Sequence, residues 1–262
     1  MTLALSIAVT GMAAQEHNIN VISHNIANTS TTAYKEDIAS FADIGYQIKM
    51  TNGAVLSDNG DTLPAGLRFG LGVAVRNVYK NFKQGALVPS DSQYSIAIDG
   101  PGFYHVILPS GGDGYSRDGH LQLNAQRELT DSNGFVLQPS MTIPDDALSI
   151  TITTDGRVQV QQPNQTNLNE VGIIELSRFN VEQLSPIGNN LYMIPPNGEA
   201  VLQGPAGSDG LGMIKQFFLE ESNGSAVEQL ASLIIAQRAF ETNSKVVQTA
   251  DQMLRTAIDV KA

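Results

Sequence analysis

A chain of 262 residues, 42 % of them hydrophobic, is long enough for a sizeable core and is neither disordered throughout nor apolar enough to sit in a membrane. Its formal charge is −11, from 15 Lys and Arg against 26 Asp and Glu, which argues against nucleic acid or anionic lipid as the main partner. With no cysteine, disulfides, thiolate zinc sites and a cysteine nucleophile are excluded.

The first element is a helix. Leu5, Met12, Ile19 and Ile26 fall seven apart, with Ala8, Gln15 and Ile22 between them, a narrow apolar seam over roughly 25 residues. Up to Tyr34 the only formal charge is Glu16. A lone solvated helix carries Lys and Glu pairs, so small polar residues here suit close packing among several helices. The apolar stretch from Leu3 to Ala14 could be taken for a secretory signal, but no Lys or Arg precedes Lys35. No run reaches the roughly 18 apolar residues of a membrane span. The segment is expected to remain in the mature protein, with export, if any, by a route that cleaves no signal.

Proline and glycine partition the chain. All 11 prolines lie between Pro64 and Pro205, and of 24 glycines only Gly11 lies outside Gly45–Gly224. The ends therefore lack helix breakers and the middle is rich in turns. From Gly45 to Gly72 the periodicity is weak, which predicts a long extended loop or hairpin; a connection that long is usually functional. Beyond it, hairpin signals recur at Asp99-Gly100, Asp118-Gly119, Asn133-Gly134, Asp155-Gly156 and Asn197-Gly198. Between them, Tyr94–Ile98, Phe103–Leu108, Leu121–Leu123, Leu148–Thr153, Val158–Val160 and Val171–Phe179 predict short strands. The C-terminal segment is again helical. Ser225 to Glu228 has the pattern of a capping box, and the helix runs to about Ile258. Leu233, Phe240, Val247 and Leu254 make one heptad line, and Ala236, Asn243, Ala250 and Ala257 a second, smaller one. Two matching seams predict that the terminal helices pair.

The fold class is therefore α+β: terminal helices paired as a coiled coil, a long extended linker, and a central antiparallel β-sandwich or barrel-like domain. The expected boundaries are 1–34 and 225–262 for the helical part, 35–74 and 196–224 for connecting segments, and 75–195 for the β-rich domain.

No catalytic constellation stands out. His17 and His24 are one heptad apart without a carboxylate cluster, so ordinary interface histidines are favoured over a zinc site. Gly111-Gly112-Asp113-Gly114 lacks the Lys-Ser/Thr of a phosphate loop and predicts a hairpin loop. Asp145 and Asp146 are adjacent and do not converge on one substrate atom, which predicts a solvated turn. Asn28 is expected to cap the first helix. No cofactor and no metal are expected.

Two terminal motifs carry a resemblance. Asn25-Ile26-Ala27-Asn28, followed by Tyr34-Lys35, resembles the N-terminal signature of the rod and hook proteins of the bacterial flagellum. Gln237-Arg238-Ala239-Phe240-Glu241-Thr242-Asn243 and Thr249 to Leu254 resemble the C-terminal signature of that family, with Phe240 where Tyr is usual. In the middle, Leu63-Pro64-Ala65-Gly66-Leu67, Tyr115 to Gly119 and Gln138 to Pro144 are similar to the distal rod members.

The resemblance implies a non-enzymatic structural subunit of the basal body, self-assembling into a helical tube across the periplasm and exported without a cleaved signal. It implies as partners copies of itself, proximal rod proteins, hook protein, the surrounding P- and L-ring proteins and the flagellar export apparatus, with no nucleic acid and no membrane insertion. The assembly interface is expected to take in Leu5, Met12, Ile19, Ile22, Asn25, Ile26 and Asn28 together with Leu233, Phe240, Asn243, Val247 and Leu254. A subunit-locking loop falls on Asn52, Gly53, Leu56, Asp58, Asp61 and Leu63. A proximal rod or hook-type protein of the same family is the nearest alternative. A β-domain hydrolase or binding module is the alternative of another class, and it would need convergent titratable groups in residues 75–195.

Overall fold

The computed structural model describes residues 2–52, 65–109, 111–163, 168–180, 183–195 and 202–259. The chain forms two units. One comprises residues 1–27, 37–81 and 226–262, the other residues 28–36 and 82–225.

In the first unit, α1 (Thr2–Ala27) and α2 (Ala226–Asp259) pack against each other. α2 starts immediately after Ser225 with Glu228 in its first turn, where the capping-box pattern places them. Strand β1 (Asp37–Asp43) pairs antiparallel with a later strand, Val73–Lys80, from Asp37 opposite Lys80 to Asp43 opposite Val73, with a bulge between Ser40 and Phe41. Both strands pack on α1. Between them β2 (Tyr46–Met50) and β3 (Leu67–Gly70) form a two-stranded ribbon, which makes Val73–Lys80 β4. The linker expected over 35–74 thus carries strands, and the hairpin form of the Gly45–Gly72 expectation is the one adopted. Gly45 (φ 115°) and Gly72 (φ 121°) stand side by side where one ladder hands over to the other, each in a backbone region that favours glycine. A Cβ on Gly72 would also run into the Thr10 hydroxyl of α1. Asn52 closes the ribbon from within, its Oδ1 accepting the Gly66 amide at 2.6 Å. Gly53, Leu56, Asp58, Asp61 and Leu63 lie outside the described residues.

The second unit is antiparallel β structure. Its strands are β5 (Leu87–Pro89), β6 (Ile96–Asp99), β7 (Phe103–Ile107), β8 (Asp113–Ser116), β9 (Gln122–Leu123), β10 (Leu129–Thr130), β11 (Leu137–Gln138) and β12 (Ser149–Ile152). They continue as β13 (Arg157–Gln161), β14 (Asn169–Ile173), β15 (Glu175–Arg178), β16 (Ser185–Gly188), β17 (Leu191–Met193), β18 (Leu202–Pro205), β19 (Met213–Gln216) and β20 (Phe218–Glu220). The main sheet has the order β16-β17-β8-β7-β15-β18, with β11 also on β7. β12-β13-β14 form a second sheet, and β19-β6, β20-β5 and β10-β9 form pairs.

The described strands close into no barrel, which corrects that half of the expectation. Their ladders are short, and the longest path ends on open edges at β16 and β18. The single run expected over Val171–Phe179 is split for a related reason. β14 pairs with β13, whereas β15 pairs with β7 and β18, so the chain changes sheet at fully buried Ile174. One apolar core joins the sheets. Alternate residues of β12 and β13 (Ile150, Ile152, Val158, Val160) meet Ile98, Val106, Leu129, Leu137, Leu176 and Ile214, as period-two patterning requires. A second cluster gathers Phe103, Tyr115, Phe179 and Tyr192.

Candidate functional site

Burial along the two terminal helices is uneven over the heptad positions. Leu5, Met12, Ile19 and Ile26 are half-buried on α1, while Ala8, Ile22 and Asn25 are buried. On α2, Leu233, Asn243, Val247 and Leu254 are half-buried, Phe240 stays exposed, and Ala236 and Ala250 are buried. Small residues let the backbones approach. At Gly11, the one glycine of the terminal helices, an added Cβ would stand 2.8 Å from Asn243 Nδ2. Asn28 follows the last residue of α1, and both its carbonyl and its Oδ1 accept bonds from Thr31 at 3.1 Å.

Asn25 of the N-terminal motif has a definite task. Its Nδ2 donates to the Asp37 carbonyl and its Oδ1 accepts the Asp37 amide, both at 2.8 Å. The side chain thereby substitutes for a strand partner and holds the start of β1 on α1. Asp37 is further held by Lys80 at 3.0 Å and His24 at 3.4 Å. Asn25→Ala leaves a buried donor and acceptor behind and is expected to cost the first unit about 2 kcal/mol, read from the midpoint of chemical unfolding. An unchanged midpoint would remove this role.

Large apolar side chains remain uncovered on the same unit. Val227 is 77 % exposed and Ile235 69 %, and Leu230, Ile234, Val246, Met253 and Ile258 of α2 are also exposed. On the β2–β3 ribbon, Tyr46, Ile48, Met50, Leu67 and Phe69 are exposed as well.

In the central unit the structure assembles an ion network that sequence reasoning missed. Glu220, 1 % exposed, accepts Lys35 Nζ at 2.6 Å, Arg117 Nε at 2.8 Å and the Gly85 amide at 2.9 Å. Arg117 spends its other donors on the carbonyls of Gly102 (3.0 Å) and Gly100 (2.9 Å), and lies 5.9 Å over the Phe103 ring. Lys35 is fully buried and also donates to the Lys83 carbonyl at 2.9 Å. Burial alone would push the Glu220 carboxyl up, but Arg117, Lys35 and the Gly85 amide together hold it below the usual carboxylate range. For Lys35 burial wins over its one carboxylate and lowers the ammonium. The directions agree with the geometry: the anion has two cations, and the lysine shares one anion with an arginine. Lys35 and Arg117 both stood in motifs singled out from the sequence, but nothing local marked them as buried.

Gly111 and Gly112 lie between β7 and β8, Asp113 and Gly114 open β8, and Asp145 is 94 % exposed beside Arg127. Among the described residues no group of three or more His, Asp or Glu is placed to hold a metal, and no helix is long and apolar enough to cross a membrane.

Comparison with known proteins covers the whole chain. Profiles described as flagella basal body rod protein, flagellar hook protein FlgE/F/G D1 domain, and flagellar basal body rod FlgEFG protein C-terminal match residues 5–35, 97–160 and 215–260. The flagellar basal-body rod protein FlgG of Caulobacter vibrioides is 41 % identical over 99 % of both chains. That of Borreliella burgdorferi is 38 % identical over 100 % of this chain and 99 % of its own. That of Bacillus subtilis is 30 % identical over the full length of both.

Proposed function

Because the chain belongs to the flagellar basal-body rod protein family, we propose that it is a structural subunit of the distal rod, assembling with its own copies into a rigid helical tube that carries torque from motor to hook across the periplasm. The observation that carries this reading is the apolar surface left on a single chain, along α2 and on the β2–β3 ribbon. Such area is costly to a monomer, and a two-stranded ribbon is marginal in water by itself. Copies that meet through unlike faces make contacts that do not close, and these generate helical tubes.

In this reading the α1–α2 seam is a coiled coil, the sheets of the central unit are layered as a sandwich, and the chain has no enzymatic role. Assembly joins the seam residues, from Leu5 to Asn28 and from Leu233 to Leu254, to neighbouring copies. The stretch holding Asn52, Gly53, Leu56, Asp58, Asp61 and Leu63 locks subunits together and stiffens the tube. The partners are proximal rod proteins, hook protein, the P- and L-rings and the export apparatus, which passes the chain without cleaving a signal.

Electron microscopy of basal bodies from cells lacking this chain is expected to show rods that stop short of the hook, restored by the intact gene. A complete rod without the chain would overturn the reading. Removal of residues 52–61 is expected to give rods that bend; equally straight rods would separate stiffness from that segment.

A further inference from the structure

Residues 28–36 come to the central unit from elsewhere in the sequence, since residues 37–81 belong to the other unit. They lie on that unit as a short strap. The Ala33 amide donates to the Glu220 carbonyl at 2.7 Å, and Asn190 Nδ2 donates to the Thr32 carbonyl at 2.9 Å. Asn223 clasps the far end, its amide donating to the Tyr34 carbonyl at 3.3 Å and its Oδ1 accepting the Glu36 amide at 2.9 Å. Ala33 is held at φ 57°, a left-handed conformation that an alanine adopts only when its surroundings enforce it. At that same end, between Tyr34 and Glu36, the Lys35 side chain enters the protein and ends on Glu220.

The socket that receives it is complete without it. Glu220 keeps Arg117 and the Gly85 amide, and Arg117 keeps the carbonyls of Gly100 and Gly102, so the buried pair is neutral and hydrogen-bonded before any lysine arrives. Lys35, by contrast, gives up its water to enter, and burial opposes its charge. The socket thus keeps its charge balance and hydrogen bonds with or without the lysine, whereas the strap carries one desolvated cation and an alanine at positive φ.

We propose that residues 28–36 are a latch keyed by Lys35, able to leave the central unit while β5 to β20 stay folded. Closing holds Tyr34 and Lys35, the end of the N-terminal signature, on the central unit, and opening frees them for another copy of the chain. The latch rests on the geometry of strap and socket and does not depend on the rod assignment.

Hydrogen exchange on the full chain tests it. The Ala33 and Asn223 amides report the strap; the Ile143 and Ile174 amides, bonded to the carbonyls of Arg127 and Gly156, report the core. In Lys35→Ala the strap amides are expected to exchange at least about tenfold faster, the scale of one hydrogen bond to a charged group, with the core amides unchanged. Lys35→Met, which refills the space, is expected to recover part of the loss. Strap and core amides accelerating together would make the strap part of one cooperative core and overturn the proposal. So would unaltered strap exchange, or a Lys35→Ala chain that fails to fold, since the socket would then not be self-sufficient.

Discussion

Glu220→Ala is expected to destabilise the central unit by roughly 3–5 kcal/mol, because it strands two buried cations at once. Arg117 keeps its backbone acceptors but loses its counter-charge, and Lys35 loses its carboxylate. Denaturant unfolding of the central unit reads the loss; a change below about 1 kcal/mol, the scale of an exposed pair, would mean that the network contributes no more than a surface salt bridge. The same residue sets an acid response. A carboxyl whose folded value lies below its unfolded value contributes stability that is complete above the unfolded value and is lost as pH falls through the folded one. The network is therefore expected to hold through pH 5 and to fail below the usual carboxylate range, about pH 4. Asp118 works in the opposite sense. Burial raises its carboxyl against bonds from the His120 amide and the Ser132 hydroxyl, so its protonation in acid offsets part of the loss. Comparison with Glu220→Gln separates the two, since only the Glu220 contribution vanishes in that variant.

The second large effect is expected in the helix seam. Ala236 is 1 % exposed, on the face of α2 that carries the small-residue line. Ala236→Arg forces a long charged side chain into a space filled by a methyl group and is expected to cost more than about 3 kcal/mol of helix pairing. Subunits carrying it should be made and secreted yet absent from rods, and the cells non-motile. Ala236→Ser, which adds a single small atom at the same place, is the control and is expected to leave assembly intact. Normal rods built from the Ala236→Arg chain would show that this seam is not what holds the helices.

Both sites bear on how far a sequence exposes its fold. The helices were legible because proline, glycine and heptad spacing act within a few residues of one another. Gly11 was visible as the one glycine in them, and its place beside Asn243 explains it. The turns at Asn133-Gly134 and Asp155-Gly156 were legible for the same local reason, each glycine taking a positive φ. Asp118-Gly119 carries the same hairpin signal, yet Asp118 is 8 % exposed and the flanking strands β8 and β9 belong to different sheets. The pairing of β1 with β4 escaped because a bulge at Ser40 and Phe41 breaks the alternation and neither strand is deeply buried. Lys35 and Glu220 are 185 residues apart, and a charged side chain in a sequence reads as solvent-exposed until its partner is known. The change of sheet at Ile174 was hidden because an unbroken apolar run carries no mark of which neighbour each half will find.

A helical reconstruction of rods built from this chain is the most direct test. Every subunit is expected to contribute α1 and α2 as a packed pair to the tube wall, with Val227, Leu230, Ile234 and the β2–β3 ribbon covered by neighbouring copies. Rods in which those residues face solvent, or from which the chain is missing, would contradict this expectation.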